Sequence, residues 1–136
     1  MLDFFKRKKE KPQEQTEKKA LTEQELDRLK QLVEGKANEI SRITDKDSES
    51  REVLAELYEE QGLVLAEMEQ LDEAIAALER SLELKLSIGD GYKKLMSLYN
   101  AKRAAAARSG DDAGIETYMQ KMDDMRQIAK QVTITG

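Results

Sequence analysis

From Gln13 to Gly136 the chain contains no proline; its single proline is Pro12. A stretch this long without a residue that lacks a backbone N–H, and rich in Glu, Lys, Leu, Ala and Gln, favours helix, because those side chains lose little rotamer freedom there. Turn-rich β folds need more glycine and proline to close their hairpins. The expectation is an all-α chain of one domain, since 136 residues leave no room for a second sizeable core.

Cysteine and histidine are both absent. No disulfide is possible, zinc, haem and iron–sulfur sites lose their usual ligands, and Ser-His or Cys-His nucleophile pairs are excluded. No spacing of the plentiful carboxylates singles out a site, so neither catalysis, a metal nor a cofactor is expected. No phosphate-binding loop occurs, because Gly89-Asp90-Gly91 and Ser109-Gly110-Asp111-Asp112 read as turns between helices. No apolar run approaches the length of a membrane span, and the basic residues near Met1 are followed by Glu10, Lys11 and Pro12 rather than by an apolar stretch, which points to the cytoplasm.

Charge is uneven. Residues 1–20 carry a net +3 and the remainder a net −8. An acidic body repels phosphate backbones, so nucleic acid is not an expected partner. Residues 1–20, dominated by Lys, Glu and Gln, read as a disordered basic tail preceding a helical domain over 21–136. Within it Leu2, Phe4 and Phe5 beside Lys6 to Lys9 suit either weak contact with an anionic membrane surface or plain solvation.

Periodicity marks about five helices. The first opens at Thr22, where Thr22 and Glu25 form a capping-box pattern, and carries Leu26, Leu29, Val33, Ala37, Ile40 and Ile43 on one face. Residues 44–48 form a connector with several N-cap candidates. The second covers about 49–68 with Gly62 in its middle, a position that suggests close approach of another helix. Asp72 is expected to cap the third, which ends at Gly89, and Asp90 to cap the fourth. The fifth carries Ile115, Tyr118, Met122, Met125, Ala129 and Val132 in a heptad-like seam, with residues 133–136 beyond it. Its methionines Met119, Met122 and Met125 suit a core seam or an adaptable binding stripe. Short loops make neighbouring helices antiparallel, pairing helices 2 with 3 and 4 with 5.

Residues 55–86, AELYEEQGLVLAEMEQLDEAIAALERSLELKL, resemble a tetratricopeptide repeat. Tyr58 stands at the bulky position opening the first helix, Gly62 at the small one where two helices touch, and Leu65 one turn on. Asp72-Glu73-Ala74-Ile75 matches the D-E-A-I segment of the family, with Ala74 small and Leu78 bulky; Ser81 stands where alanine is usual. A second, degenerate unit spans about 89–132: Tyr92 and Tyr99 each follow their counterparts Tyr58 and Leu65 by 34 residues, the family's period. Met96 replaces the glycine, Gly114 takes the place of Ala74, and six residues are added around Ala104 to Ala107. Helix 1 matches neither half and is expected to cap the stack.

The resemblance implies a short solenoid of stacked hairpins, with a concave groove that takes a peptide or helix of a partner protein. Transferred position by position, it places Glu56, Glu59, Leu63, Ala66 and Glu67 in the groove from the first unit, and Lys93, Ser97, Asn100 and Ala101 from the second. Family members that clamp a terminal carboxylate use Lys and Asn where Glu59 and Leu63 stand here, so that mode does not carry over. An acidic groove suits a basic or amphipathic segment, while the same residues also fit a solvated face. Residues 48–79 hold ten acidic residues against Arg51 alone, again either a docking patch or a solubility device. The alternative is a self-associating structural or membrane-peripheral protein that uses the seams of helices 1 and 5 and the Phe/Lys tail, and a homodimer through helix 1 or helix 5 is compatible with the scaffold as well.

Overall fold

The computed structural model describes residues 20–44 and 47–135, with backbone only for the last three. They form five α-helices: α1 (Glu23–Ser41), α2 (Ser48–Glu67), α3 (Leu71–Leu84), α4 (Asp90–Ser109) and α5 (Asp112–Thr135). No strand occurs among the described residues. The predicted tail, and Asp45 and Lys46 of the connector, lie outside them.

Helix starts follow local chemistry. Thr22 caps α1: its hydroxyl accepts the Glu25 N–H at 3.1 Å and donates to the Glu25 carboxylate. Asp47 caps α2 by accepting the Ser50 N–H at 2.8 Å, and this bond holds its carboxyl below the usual aspartate range. Two expected caps fall differently. Helix α3 starts at Leu71, so Asp72 sits inside its first turn and pairs with Lys102 instead. Helix α4 starts at Asp90 itself. Its N-terminal donor is met from another helix: the Glu59 carboxylate of α2 accepts the Gly91 N–H at 3.0 Å. That carboxylate occupies the space a side chain at Gly91 would need, since a Cβ there would lie 2.5 Å from Oε2.

The third helix ends at Leu84, five residues before the expected Gly89. Helix α3 runs antiparallel to α2, and Lys85 already lies opposite Glu52, near the first turn of α2. Further helix would have nothing left to bury against, and Leu86 and Ile88 stay exposed. At the other end of the chain, helix α5 continues to Thr135, past the expected limit.

Helices α2 and α3 pack most extensively, then α4 and α5. In the first hairpin a Cβ on Gly62 would lie 2.6 Å from Leu78 Cγ and 3.3 Å from the Ala74 carbonyl. Ala74 and Leu78 are 0% and 1% exposed, so the pair of helices touches backbone to side chain with no slack. The Ser81 hydroxyl donates to the Ala55 carbonyl at 2.7 Å, which satisfies the one buried polar side chain of the contact. In the second hairpin Met96 stands in place of the glycine and packs on the core, and beside the turn a Cβ on Gly114 would lie 2.5 Å from the Asp111 carboxylate and 3.0 Å from the Ala106 methyl. The added alanine run thus supplies the small residue that Met96 withdraws. The α5 seam faces α4 of the same chain. Tyr92 donates to the Met125 carbonyl at 2.8 Å, and Met122 and Met125 join the core while Met119 stays half exposed.

The hairpins stack through α3 and α4, which run antiparallel: Tyr99 reaches Glu79 and Lys102 reaches Asp72. Helices α2 and α4 therefore run parallel, side by side. Helix α1 lies antiparallel on α2, with Lys36 paired to Glu60 and with Ile40 and Ile43 against Leu54, Ala55 and Leu84. Of its expected stripe, Ala37 alone faces solvent.

Two helix-interior glycines should respond oppositely to the same substitution. Gly35→Ala, with nothing within 4 Å of the added methyl, should raise unfolding free energy by about 0.5–1 kcal/mol through helix propensity. Gly62→Ala gains the same propensity but must displace Leu78, and should lose about 1 kcal/mol net. Urea denaturation of both variants checks the signs.

Candidate functional site

The parallel pair α2 and α4 leaves a cleft of about 970 Å³ between their exposed faces. Leu63, Ala66 and Glu67 form one wall and Lys93 and Ser97, with Asp90 and Lys94, the other. Helical spacing explains why: residues three and four apart share a face, so 63, 66 and 67 project together, as do 90, 93, 94 and 97. A third wall comes from the start of α1 and the residues before it, Ala20, Leu21 and Leu26, and the turn residues Met68 and Glu69 close the end.

Five of the nine groove residues expected from the sequence, Leu63, Ala66, Glu67, Lys93 and Ser97, thus line one cavity. Glu56 and Ala101 are exposed outside it. Asn100 is exposed too, and its side-chain oxygen accepts the Arg103 guanidinium at 2.9 Å and 3.1 Å. Glu59 is not offered freely to a ligand, because it holds the Gly91 amide. The wall supplied by α1 escaped the sequence reading. Leu26 began an apolar stripe that matched neither repeat unit, and only the antiparallel placement of α1 on α2 brings its first turn beside the end of α2.

The cleft is amphipathic. Leu21, Leu26, Leu63, Ala66 and Met68 give it an apolar side. Glu67, Glu69 and Asp90 oppose Lys93 and Lys94 around it. No cluster of three or more metal-ligating side chains occurs among the described residues.

Glu69 has φ 60°, the left-handed region that side-chain-bearing residues rarely adopt. The chain needs it to turn from α2 into α3: the Glu69 N–H bonds the Ala66 carbonyl and the Gln70 N–H reaches back to Leu65, the pairing that usually places glycine at this point. The strain puts a carboxylate at the cleft's end where a glycine would have closed the helix at lower energy.

A smaller cavity of about 330 Å³ lies between α3, α4 and α5. Its polar lining includes Glu83, Asp124 and the Tyr99 hydroxyl donating to Glu79, with Lys121 3.1 Å from the same carboxylate and 5.5 Å from the Tyr99 ring centroid. Burial first, then the Glu79 hydrogen bond, pushes the Tyr99 phenol well above the ordinary tyrosine range. This group of side chains ties the two hairpins together.

Glu69→Gly should raise stability by about 1 kcal/mol by removing the left-handed penalty, measured by urea denaturation. For Tyr99, a folded-state pKa above the unfolded 10.0 means its contribution is fully present below pH 10 and lost as pH rises beyond that value. Tyr99→Phe should therefore show a shallower fall in stability above pH 10 than the wild type; denaturant titrations on either side of that pH check the slope.

No protein-family model, curated protein or solved structure matches the chain, so the cleft is interpreted from its own residues.

Proposed function

We propose that the chain is a protein-interaction scaffold of the tetratricopeptide kind, without chemistry of its own, whose cleft between α2 and α4 takes a peptide or helical segment of another protein. The observation that carries this reading is the convergence of Leu63, Ala66 and Glu67 with Lys93 and Ser97 on one cavity from two parallel helices. The same positions are those at which the tetratricopeptide family presents its ligand-facing residues. The close approach at Gly62 and Ala74 also supports it, since small residues there are what the repeat pattern requires.

The lining selects an amphipathic segment. Apolar side chains of the ligand would cover Leu26, Leu63, Ala66 and Met68, and basic ones would meet Glu67 and Glu69. The cleft is open along one side, which suits a segment laid along it rather than a small cofactor buried on all sides.

A photo-crosslinking residue tests the reading in the cell of origin. Placed at Ser97, it should join the chain to one partner protein, and Leu63→Glu should reduce that product by about tenfold, equivalent to about 1.4 kcal/mol of binding. The same probe at Asp123, exposed on α5, should give no such product. Equal yields from Ser97 and Asp123, or indifference to Leu63→Glu, would remove the cleft from consideration.

A further inference from the structure

The polypeptide enters its described part through the cleft itself: Ala20 and Leu21, the first two described residues, both line it. The nineteen residues before them contain the chain's only two phenylalanines, Phe4 and Phe5, followed at once by Lys6, Arg7, Lys8 and Lys9. This order, apolar side chains and then a basic run, is the chemistry the cleft lining selects.

We propose that residues 4–9 dock in the cleft of their own chain. Phe4 and Phe5 cover the apolar side formed by Leu26, Leu63, Ala66 and Met68, and the basic run lies toward Glu67 and Glu69. This rests on the cleft being a peptide-binding surface and names its resident occupant.

Three observations support the assignment. Charge is complementary in sign: residues 1–20 carry +3 and the remainder −8, and the cleft's own charged lining, Glu67, Glu69 and Asp90 against Lys93 and Lys94, sums to −1. Within the cleft, Glu67 and Glu69 have no ion-pair partner among the described residues, whereas Glu52, Glu60, Asp72 and Glu79 are already paired. Lys93 and Lys94 on the facing wall repel the basic run and so fix its side.

Reach is sufficient. Phe5 lies fifteen positions before Ala20, and that length of chain spans up to about 50 Å when extended. The cleft follows only part of α2, whose twenty residues measure about 30 Å. Tethering also supplies concentration. At an effective concentration of about 1 mM, a segment with a Kd of about 1 mM fills about half of the clefts. A partner protein then competes with the segment, which at half occupancy weakens its apparent affinity about twofold.

The absence of cysteine makes the test direct. A nitroxide is attached to the full chain through Asp3→Cys, and the amide signals of Leu63, Ala66, Glu67 and Ser97 are followed by NMR before and after reduction of the label. These signals should broaden strongly while the label is oxidised, because so weakly held a segment exchanges fast and half occupancy brings the nitroxide near for half of the time. Phe4→Ser together with Phe5→Ser, which leaves every described residue intact, should restore them. Loss spread evenly over the molecule, loss centred on Asp124 and Ile128 on the far side, or loss unchanged by the double substitution would overturn the proposal. So would broadening passed from labelled chains to unlabelled ones in a mixture, which assigns the segment to a second copy. If the cleft signals are unaffected while Ser97 still crosslinks to a partner, self-docking fails and the scaffold reading stands. If they broaden as expected while no crosslink forms, the cleft is an internal seat and the scaffold reading fails instead.

Discussion

At Gly62 the backbone of α2 comes so near Leu78 that even a methyl group would have to push it aside. Everything else in the molecule is arranged around that contact. It fixes the separation of α2 and α3, and with it the depth at which Leu65, Ala74, Leu78 and Leu82 close into one core with Leu95, Leu98 and Tyr99. A separation fixed by backbone contact is less adjustable than one set by long side chains, because no rotamer change can absorb an error. The turn at Glu69 follows from the same demand: α3 must return along α2 immediately, and a left-handed residue is the shortest way to do it.

The second hairpin meets the same geometric need by another route. Beside its turn Ala106 and Gly114 come together, beyond the position where the first hairpin has Gly62. Helix α4 is correspondingly long after Tyr92, running seventeen residues to Ser109 where α2 runs nine from Tyr58 to Glu67. Stacking then depends on a polar tie as well as on apolar burial. Tyr99, Glu79 and Lys121 bring one side chain each from α4, α3 and α5 to a single carboxylate. Exposed pairs such as Arg126 with Asp123 contribute little beside it, since solvent screens them.

Much of this was legible in the amino-acid sequence, for reasons that are local. Thr22 and Glu25 announce the first helix because a cap needs only residues three apart. Gly62, Ala74 and Leu78 announce the hairpin because their sizes must complement one another. What escaped depends on partners distant along the chain. The end of α3 is set by where α2 begins, not by Gly89. The start of α4 is capped by Glu59, more than thirty positions away, so the nearby Asp90 was a misleading signal. The cleft's third wall needed the placement of α1, whose residues carry no repeat pattern to predict it. The tetratricopeptide resemblance likewise put Glu56, Asn100 and Ala101 in the groove, whereas the cavity stops short of them.

Glu59 carries one further implication. The tetratricopeptide resemblance places it among the groove residues of α2, yet its oxygen is committed to the backbone of the neighbouring hairpin. The absent side chain at Gly91 is the matching half of that commitment. Positions 59 and 91 are therefore locked as a pair: a lysine at 59 would forfeit the acceptor, and any larger residue at 91 would evict it. Substitution at 63, 93 or 97 leaves that bond between α2 and α4 untouched, whereas the carboxylate at 59 is part of the architecture.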